Sequence, residues 1–310
     1  MDIFNNNYVP DLNLPINPVK TVTRKINMHF DSAFRDNYYK QSATDFMYSL
    51  PNTINDVVSI KLTSVDIPNS WHTISFIAKT NCFTIELKGK CFCNTYDIKV
   101  PDGNYSAQEL LDYLNYEYFY LSNNTDKYLK CIKVSLMENS LRVRFEIIKD
   151  DSYKCNDDFK FSLIFVNDKN SNIQNTLGWI MGFRLGRYND ITDIIQSEGL
   201  IDTGGNRYIY FSLDDYQKNK CNQQIVNFDK TTINESVLGK IYLYNGRFSL
   251  NIMEDDGANV TKKRDYLGPI RLSKFNIKLL DKFGTVIDLN NMDFSFSLEL
   301  EILYNSNNRF

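Results

Sequence analysis

Apolar residues along this chain alternate with polar ones far more often than they recur at helical spacing, so the chain reads mainly as strands. From Asp56 onward Val58, Ile60 and Leu62 fall on one face; after a one-residue slip at Ser64 the alternation resumes with Val65 and Ile67, the signature of a bulge. Pro68, Asn69 and Ser70 close this strand. Further strands are predicted at 82–87, 96–100, 131–136, 141–148, 159–166, 208–213 and 237–243, separated by polar or Gly-containing turns. The last third is the most regular. Ile270 and Leu272 alternate, slip at Ser273, and continue with Phe275, Ile277 and Leu279 up to a turn signal at 281–284. Phe294, Phe296, Leu298, Leu300 and Ile302 then alternate with Ser295, Ser297, Glu299 and Glu301, which predicts a long half-buried strand.

Two helices interrupt the pattern. Ser106 and Glu109 form an S-x-x-E capping box, with Leu110, Leu114, Tyr118 and Leu121 on one face of a helix of about four turns. The apolar run 175–183, NTLGWIMGF, predicts a short second helix whose Gly178 and Gly182 permit close approach to the first. Many strands with two helices, and no regular strand and helix alternation, predict a mostly β chain: an antiparallel sandwich, a single jelly roll with an inserted α+β subdomain. The jelly-roll domain is expected over 46–310 with the insertion at about 80–188, and the strands at 57–67 and 293–304 are expected to pair. Residues 1–45 contain Pro10, Pro15 and Pro18 and read as an extended arm, with Val9, Leu12, Leu14 and Ile16 as apolar anchors for a neighbouring subunit.

Composition removes several functions. The formal charge is -3 and no long basic block exists, so capture of nucleic acid by clustered Lys and Arg has no support. The densest basic cluster, Lys262, Lys263 and Arg264, reads as a solvated turn, as do the acidic pairs Asp150 and Asp151, Asp157 and Asp158, Asp214 and Asp215, and the Glu254 to Asp256 run. No apolar run approaches the roughly 20 residues of a membrane span, and the first residues do not read as a secretion signal. The six Cys are then expected to be reduced, and Cys82, Cys91 and Cys93 to be small buried hydrophobes, since their spacing does not suit zinc. With only His29 and His72, no HExxH and no phosphate-binding loop, the sequence offers no catalytic residue, no metal site and no cofactor site. Aromatic residues make up 14%, which suits strands and wide protein interfaces.

Two stretches carry a family likeness. Residues 264–304, RDYLGPIRLSKFNIKLLDKFGTVIDLNNMDFSFSLELEILY, and 208–219, YIYFSLDDYQKN, resemble segments of single jelly-roll capsid proteins, penton or minor capsid proteins, of giant viruses and virophages; IPNSWHTIS and GNYSAQELLDYLN are also similar to that group. The resemblance covers about half the chain, in order, and implies a non-enzymatic virion protein assembled in the host cytoplasm. Its expected partners are its own copies, as a homo-pentamer, and a major capsid protein. Within the motifs Gly268, Pro269, Gly284 and Asn291 are expected to set turns, while Phe294 and Phe296 fill the core. The alternatives are a minor capsid protein bridging major capsid trimers, or a receptor- or carbohydrate-binding jelly roll with Trp71 and Trp179 as stacking candidates.

Overall fold

The computed structural model describes residues 22–123, 126–149, 158–167, 172–228, 232–246, 248–254 and 261–304. Its frame is one antiparallel eight-stranded sheet in the order β1 (Thr23–Asp31), β15 (Ser295–Leu303), β2 (Asp45–Pro68), β14 (Arg264–Leu280), β10 (Tyr208–Asp214), β12 (Ile233–Tyr242) and β11 (Gln224–Asn227), with β13 (Leu250–Glu254) also paired to β2. This sheet folds onto itself. The second half of β2 pairs with β15, whereas its first half pairs with the second half of β14, which continues to β10. The two layers meet across an aromatic core: Phe211 of β10 lies 5.0 Å from Phe296 of β15, and Phe30 of β1 lies 5.8 Å from Phe275 of β14. Where β12 crosses β2, the approach is close. A Cβ on Gly239 would lie 3.0 Å from Leu62 Cδ2.

The alternation that predicts β15 is realised side chain by side chain. Phe296, Leu298, Leu300 and Ile302 are buried, and β15 pairs with β2 from Ser295 opposite Asp66 to Ile302 opposite Val57. The slip near Ser64 is a bulge at Thr63, and the slip at Ser273 falls at a break in register where one residue of β14 faces four looped-out residues of β2. A further irregularity falls at Val58, beside Asp56 with φ 61°; it turns Val57 and not Val58 into the core, against the sequence reading.

Between β2 and β10 the chain builds a second core, drawn from Ile74 to Ile201. One sheet runs β4 (Cys93–Lys99), β3 (Cys82–Gly89), β7 (Phe159–Ile164), β8 (Arg187–Ile191); the other runs β5 (Ile132–Met137), β6 (Arg142–Ile147), β9 (Ile194–Gln196). Phe145 links them, in contact with Phe83, Phe119 and Phe183 at 5.9 to 6.2 Å. Helix α1 (Ala107–Glu117) covers β5, and both halves of its capping box form, Ser106 Oγ accepting from Glu109 N and Glu109 Oε2 accepting from Ser106 N. The helix is a turn shorter than the periodicity suggests, leaving Leu121 exposed. Helix α2 (Leu177–Ile180) is a single turn whose Gly178 lies against the Phe165 ring. The chain is thus an antiparallel β-sandwich of jelly-roll type carrying an inserted α+β unit.

The arm requires a correction. Val9, Leu12, Leu14 and Ile16 lie outside the described residues, but 23–31 is not an arm: it forms β1, paired along its whole length with β15. No proline falls between Pro18 and Pro51, and Ile26, Met28 and Phe30 alternate toward the core.

Leu114 is fully buried where α1 meets the second core. Leu114→Ala is expected to lower unfolding stability by about 2 to 5 kcal/mol, from lost burial and the cavity left behind. Urea denaturation of both proteins checks this; a loss below about 1 kcal/mol would show that α1 is not a load the second core carries.

Candidate assembly site and its buried charge cluster

The two stretches that resemble capsid proteins meet at a corner of the sandwich. Strand β14 pairs with β2 at Asp265 opposite Ser59 and again at Ile270 opposite Val57, so the residues between are looped out of the ladder. Gly268 and Pro269 sit there, inside the strand, and not in a turn before it as the sequence suggests. Pro269 supplies no donor, which is tolerated where the ladder is already broken. The neighbouring Leu267 is 76% exposed. Gly284 turns the tight loop after β14 with φ 81°, its N–H donating to Asp281, and Asn291 adopts φ 61° in the turn before β15. Phe294 and Phe296 are buried, their rings stacked 5.8 Å apart.

Behind this corner lies a charge cluster that the sequence reading places wrongly in solvent. Arg264 and Asp215 are each only 2% exposed. Arg264 Nη1 donates to Asp215 Oδ2 at 2.8 Å and to the Leu213 carbonyl at 2.9 Å, while Nη2 donates to the Ser236 carbonyl at 2.9 Å. Tyr266 donates its hydroxyl to the same Asp215 oxygen at 2.5 Å, and Lys220 Nζ lies 3.6 Å from the other. Burial, reinforced by the Asp215 charge, pushes the Tyr266 phenol far above its ordinary range and holds it protonated as a donor. Neither residue could stay buried alone, because an unpaired ion in the interior costs several kcal/mol. Asp215 thus ties together the segment after β10, the first half of β14 and, through Arg264, the carbonyls of β12.

On the outer face Glu301 accepts from Lys263 Nζ at 2.5 Å, Thr23 Oγ1 at 2.6 Å and Ser59 Oγ at 3.2 Å, joining β15 to the residue that leads into β14, to β1 and to β2. These bonds, that of Lys263 first, hold its carboxyl down to about 2. Nearby the surface turns apolar: β13 points Leu250 and Ile252 outward, and Phe248 before it is also exposed. The sheet ends at β1 and β11.

The remaining candidate residues are dispersed. His29 Nδ1 lies 2.7 Å from Ser297 Oγ on the outer face, and His72 lies at the junction between the two cores. Cys82, Cys91 and Cys93 are exposed free thiols and not the buried hydrophobes expected; Cys82 opens β3, Cys91 lies in the hairpin turn, and Cys93 opens β4 opposite Lys88, so all three sit at the ends of the hairpin strands or in its turn. Cys131 is buried and disulfide-bonded, which corrects the expectation of six reduced thiols: a compartment argument cannot see which side chains the fold brings together. No group of three or more metal-ligating side chains occurs among the described residues, and no described helix is long and apolar enough to cross a membrane.

Two outcomes follow from these contacts. Asp215→Ala, which leaves Arg264 buried without its carboxylate, should cost about 3 to 5 kcal/mol in urea unfolding, whereas Asp215→Leu combined with Arg264→Met should recover much of that loss. Equal losses would mean that the charges are not coupled. Glu301 has a folded pKa depressed from 4.5, so its contribution is fully present above pH 4.5 and is lost as pH falls through about 2. Lys263→Met should move this carboxyl up toward the ordinary range, read by carbon-detected NMR titration.

No protein-family model matches the sequence, and no curated protein does either. Among solved structures the chain is similar to a penton protein of mavirus, at 9% identity and a TM-score of 0.43 over 91% of this chain and 100% of that one. It is also similar to a chain of the Sputnik virophage, at 10% identity and a TM-score of 0.40 over 92% of this chain and 99% of that one.

Proposed function

We propose that this chain is a structural capsid protein, a penton that closes the five-fold vertices of an icosahedral double-stranded DNA virus as a homo-pentamer against the major capsid protein. The observation that carries the reading is the meeting of the two capsid-like stretches. Residues 208–219 and 264–304 are far apart in sequence, yet they form β10, β14 and β15 and share the Asp215, Arg264 and Tyr266 cluster. The resemblance therefore falls on the device that sets the corner of the sandwich. The charged cluster the two motifs share, Asp215, Arg264 and Tyr266, is bound together inside the fold and serves its geometry, which suits a scaffold. The division into an arm, a jelly-roll domain and an insertion belongs to this proposal, with the arm shortened to residues 1–21 and the insertion widened to the span of the second core. A minor capsid protein bridging major capsid trimers would use the same fold and differ in stoichiometry. The proposed location is the virion, with assembly in the host cytoplasm.

Sedimentation of the purified chain tests the penton reading. A stable pentamer supports it; a monomer that associates only with a major capsid protein supports the bridging role. Residues 1–21 are proposed to act between subunits. Their deletion should leave the melting temperature of the isolated subunit nearly unchanged and weaken assembly, whereas deletion of 1–45 removes β1 and should destabilise the sandwich itself. A 1–21 deletion that assembles as well as the full chain would remove the arm from the mechanism.

A further inference from the structure

The chain passes twice between its two cores, outward after β2 and back before β10, and the crossing leaves two adjoining cavities of about 90 and 150 Å³. Trp71, His72, Ala78, Asn206, Asp281 and Thr285 line both. Trp179 lines the larger one, so both tryptophans of the chain stand in the walls of one cleft although 108 positions of numbering separate them on different cores.

The walls are held in place. Asn104 donates to the Trp71 carbonyl at 3.0 Å and accepts from Thr73 N at 2.8 Å. Ser70 Oγ donates to the Leu289 carbonyl at 2.7 Å, fixing the outgoing segment to the sandwich. The returning segment passes so close that a Cβ on Gly205, with φ 79°, would lie 2.9 Å from Thr73 Oγ1. The Arg184 guanidinium stands 4.0 Å over the Trp179 ring and donates to its carbonyl, which fixes that indole. Asp281 Oδ1 accepts from Phe283 N and Thr285 N at 2.8 Å each, so this carboxylate is oriented by its own turn.

We propose that this cleft binds the terminal neutral sugar ring of a glycan. Size decides first: the cavities fall well short of the roughly 300 to 1,000 Å³ of a drug-sized pocket, which limits an occupant to about the size of a single ring. Lining chemistry decides next. The half-buried Trp179 indole offers a flat apolar wall to the C–H face of a pyranose, Trp71 backing the cleft from the first core, while Asn206, Asn175, Gln174 and the carboxylates of Asp202 and Asp281 can bond its hydroxyl edge. Charge excludes acidic sugars, because Asp102, Asp202, Asp281 and Asp288 outnumber Lys282 in the linings of the two cavities. Burial pushes the Asp281 carboxyl up from its ordinary value, in keeping with a site partly withdrawn from water. The inference does not rest on the capsid reading and stands or falls separately from it.

The test uses the full chain and its own fluorescence, since its two Trp residues both border the cleft. Galactose, glucose, fucose and N-acetylglucosamine are titrated with tryptophan emission and saturation-transfer NMR as readouts, and N-acetylneuraminic acid serves as the acidic comparison. At least one neutral sugar should perturb the emission and saturate in the millimolar range. Asn206→Ala and the milder Trp179→Phe should each weaken that binding about fivefold or more without changing the melting temperature. Silence with all four neutral sugars, equal or better binding of the acidic one, or unchanged binding in both variants overturns the proposal. Sedimentation of the Asn206→Ala protein should be unaltered, so a failure here is distinguishable from a failure of the assembly reading.

Discussion

The constraint on which the rest depends is the length of β2. At about 3.3 Å per residue a straight 24-residue strand would extend roughly 79 Å, more than a domain of this size can cover. It must bend, and once bent it belongs to both layers. The bend falls at Asp56 to Val58, where a left-handed residue and a break in register coincide, and β14 breaks opposite it between Asp265 and Ile270. Two long strands turning together make one sheet into a sandwich. Everything buried in the first core, including Phe30 against Phe275 and Phe211 against Phe296, follows from that corner.

A corner made of broken ladders leaves backbone groups in need of partners, and Arg264 supplies several of them. Its guanidinium reaches carbonyls of Leu213 and Ser236 as well as Asp215, so one side chain satisfies acceptors from two strands. A buried ion pair is poor evidence of net stability, since packed apolar side chains can do as well. What the ions impose is geometry: Asp215 must receive Arg264 and Tyr266 at once, and a shift of β14 by one residue would turn both donors to the opposite face. The cluster therefore selects one register for the corner. Arg264 Nε, which has no partner among the described residues, marks the residual cost of that choice.

How much of this could be read in the sequence depended on whether the signal was local. β15 and the second half of β14 were legible because their alternation is uninterrupted, and α1 because Ser106 and Glu109 sit in one turn. β1 carried the same kind of signal in Ile26, Met28 and Phe30, but three earlier prolines drew it into a supposed arm. The first half of β2 was hidden by Pro51, which the structure accommodates in a looped-out stretch between Ser49 and Ile54. The charge cluster had no local signature at all: Asp215 and Arg264 lie 49 residues apart, and each sits beside other charges that read as solvent-facing. Trp71 and Trp179 were visible as candidates for stacking, yet only the packing of the two cores shows that they share a cleft.

These placements also separate what the interior does from what the surface is free to do. Two groups of titratable side chains shape the sandwich, Asp215, Arg264 and Tyr266 at the corner and Glu301 with Lys263 on the outer face, where it bonds β1, β2 and the residue before β14. Neither arrangement leaves a reactive group facing a cavity. Among the described residues the sheet ends at β1 and β11, and the surface carries the outward apolar side chains of Phe248, Leu250 and Ile252 beside β13. Edges of this kind are hazards for a free monomer, because unpaired strand groups and exposed apolar residues recruit other chains. They become useful where a neighbour is always present. The charges of the corner thus serve the interior, while the strand edges and the apolar side chains beside β13 are what the sandwich presents at its surface.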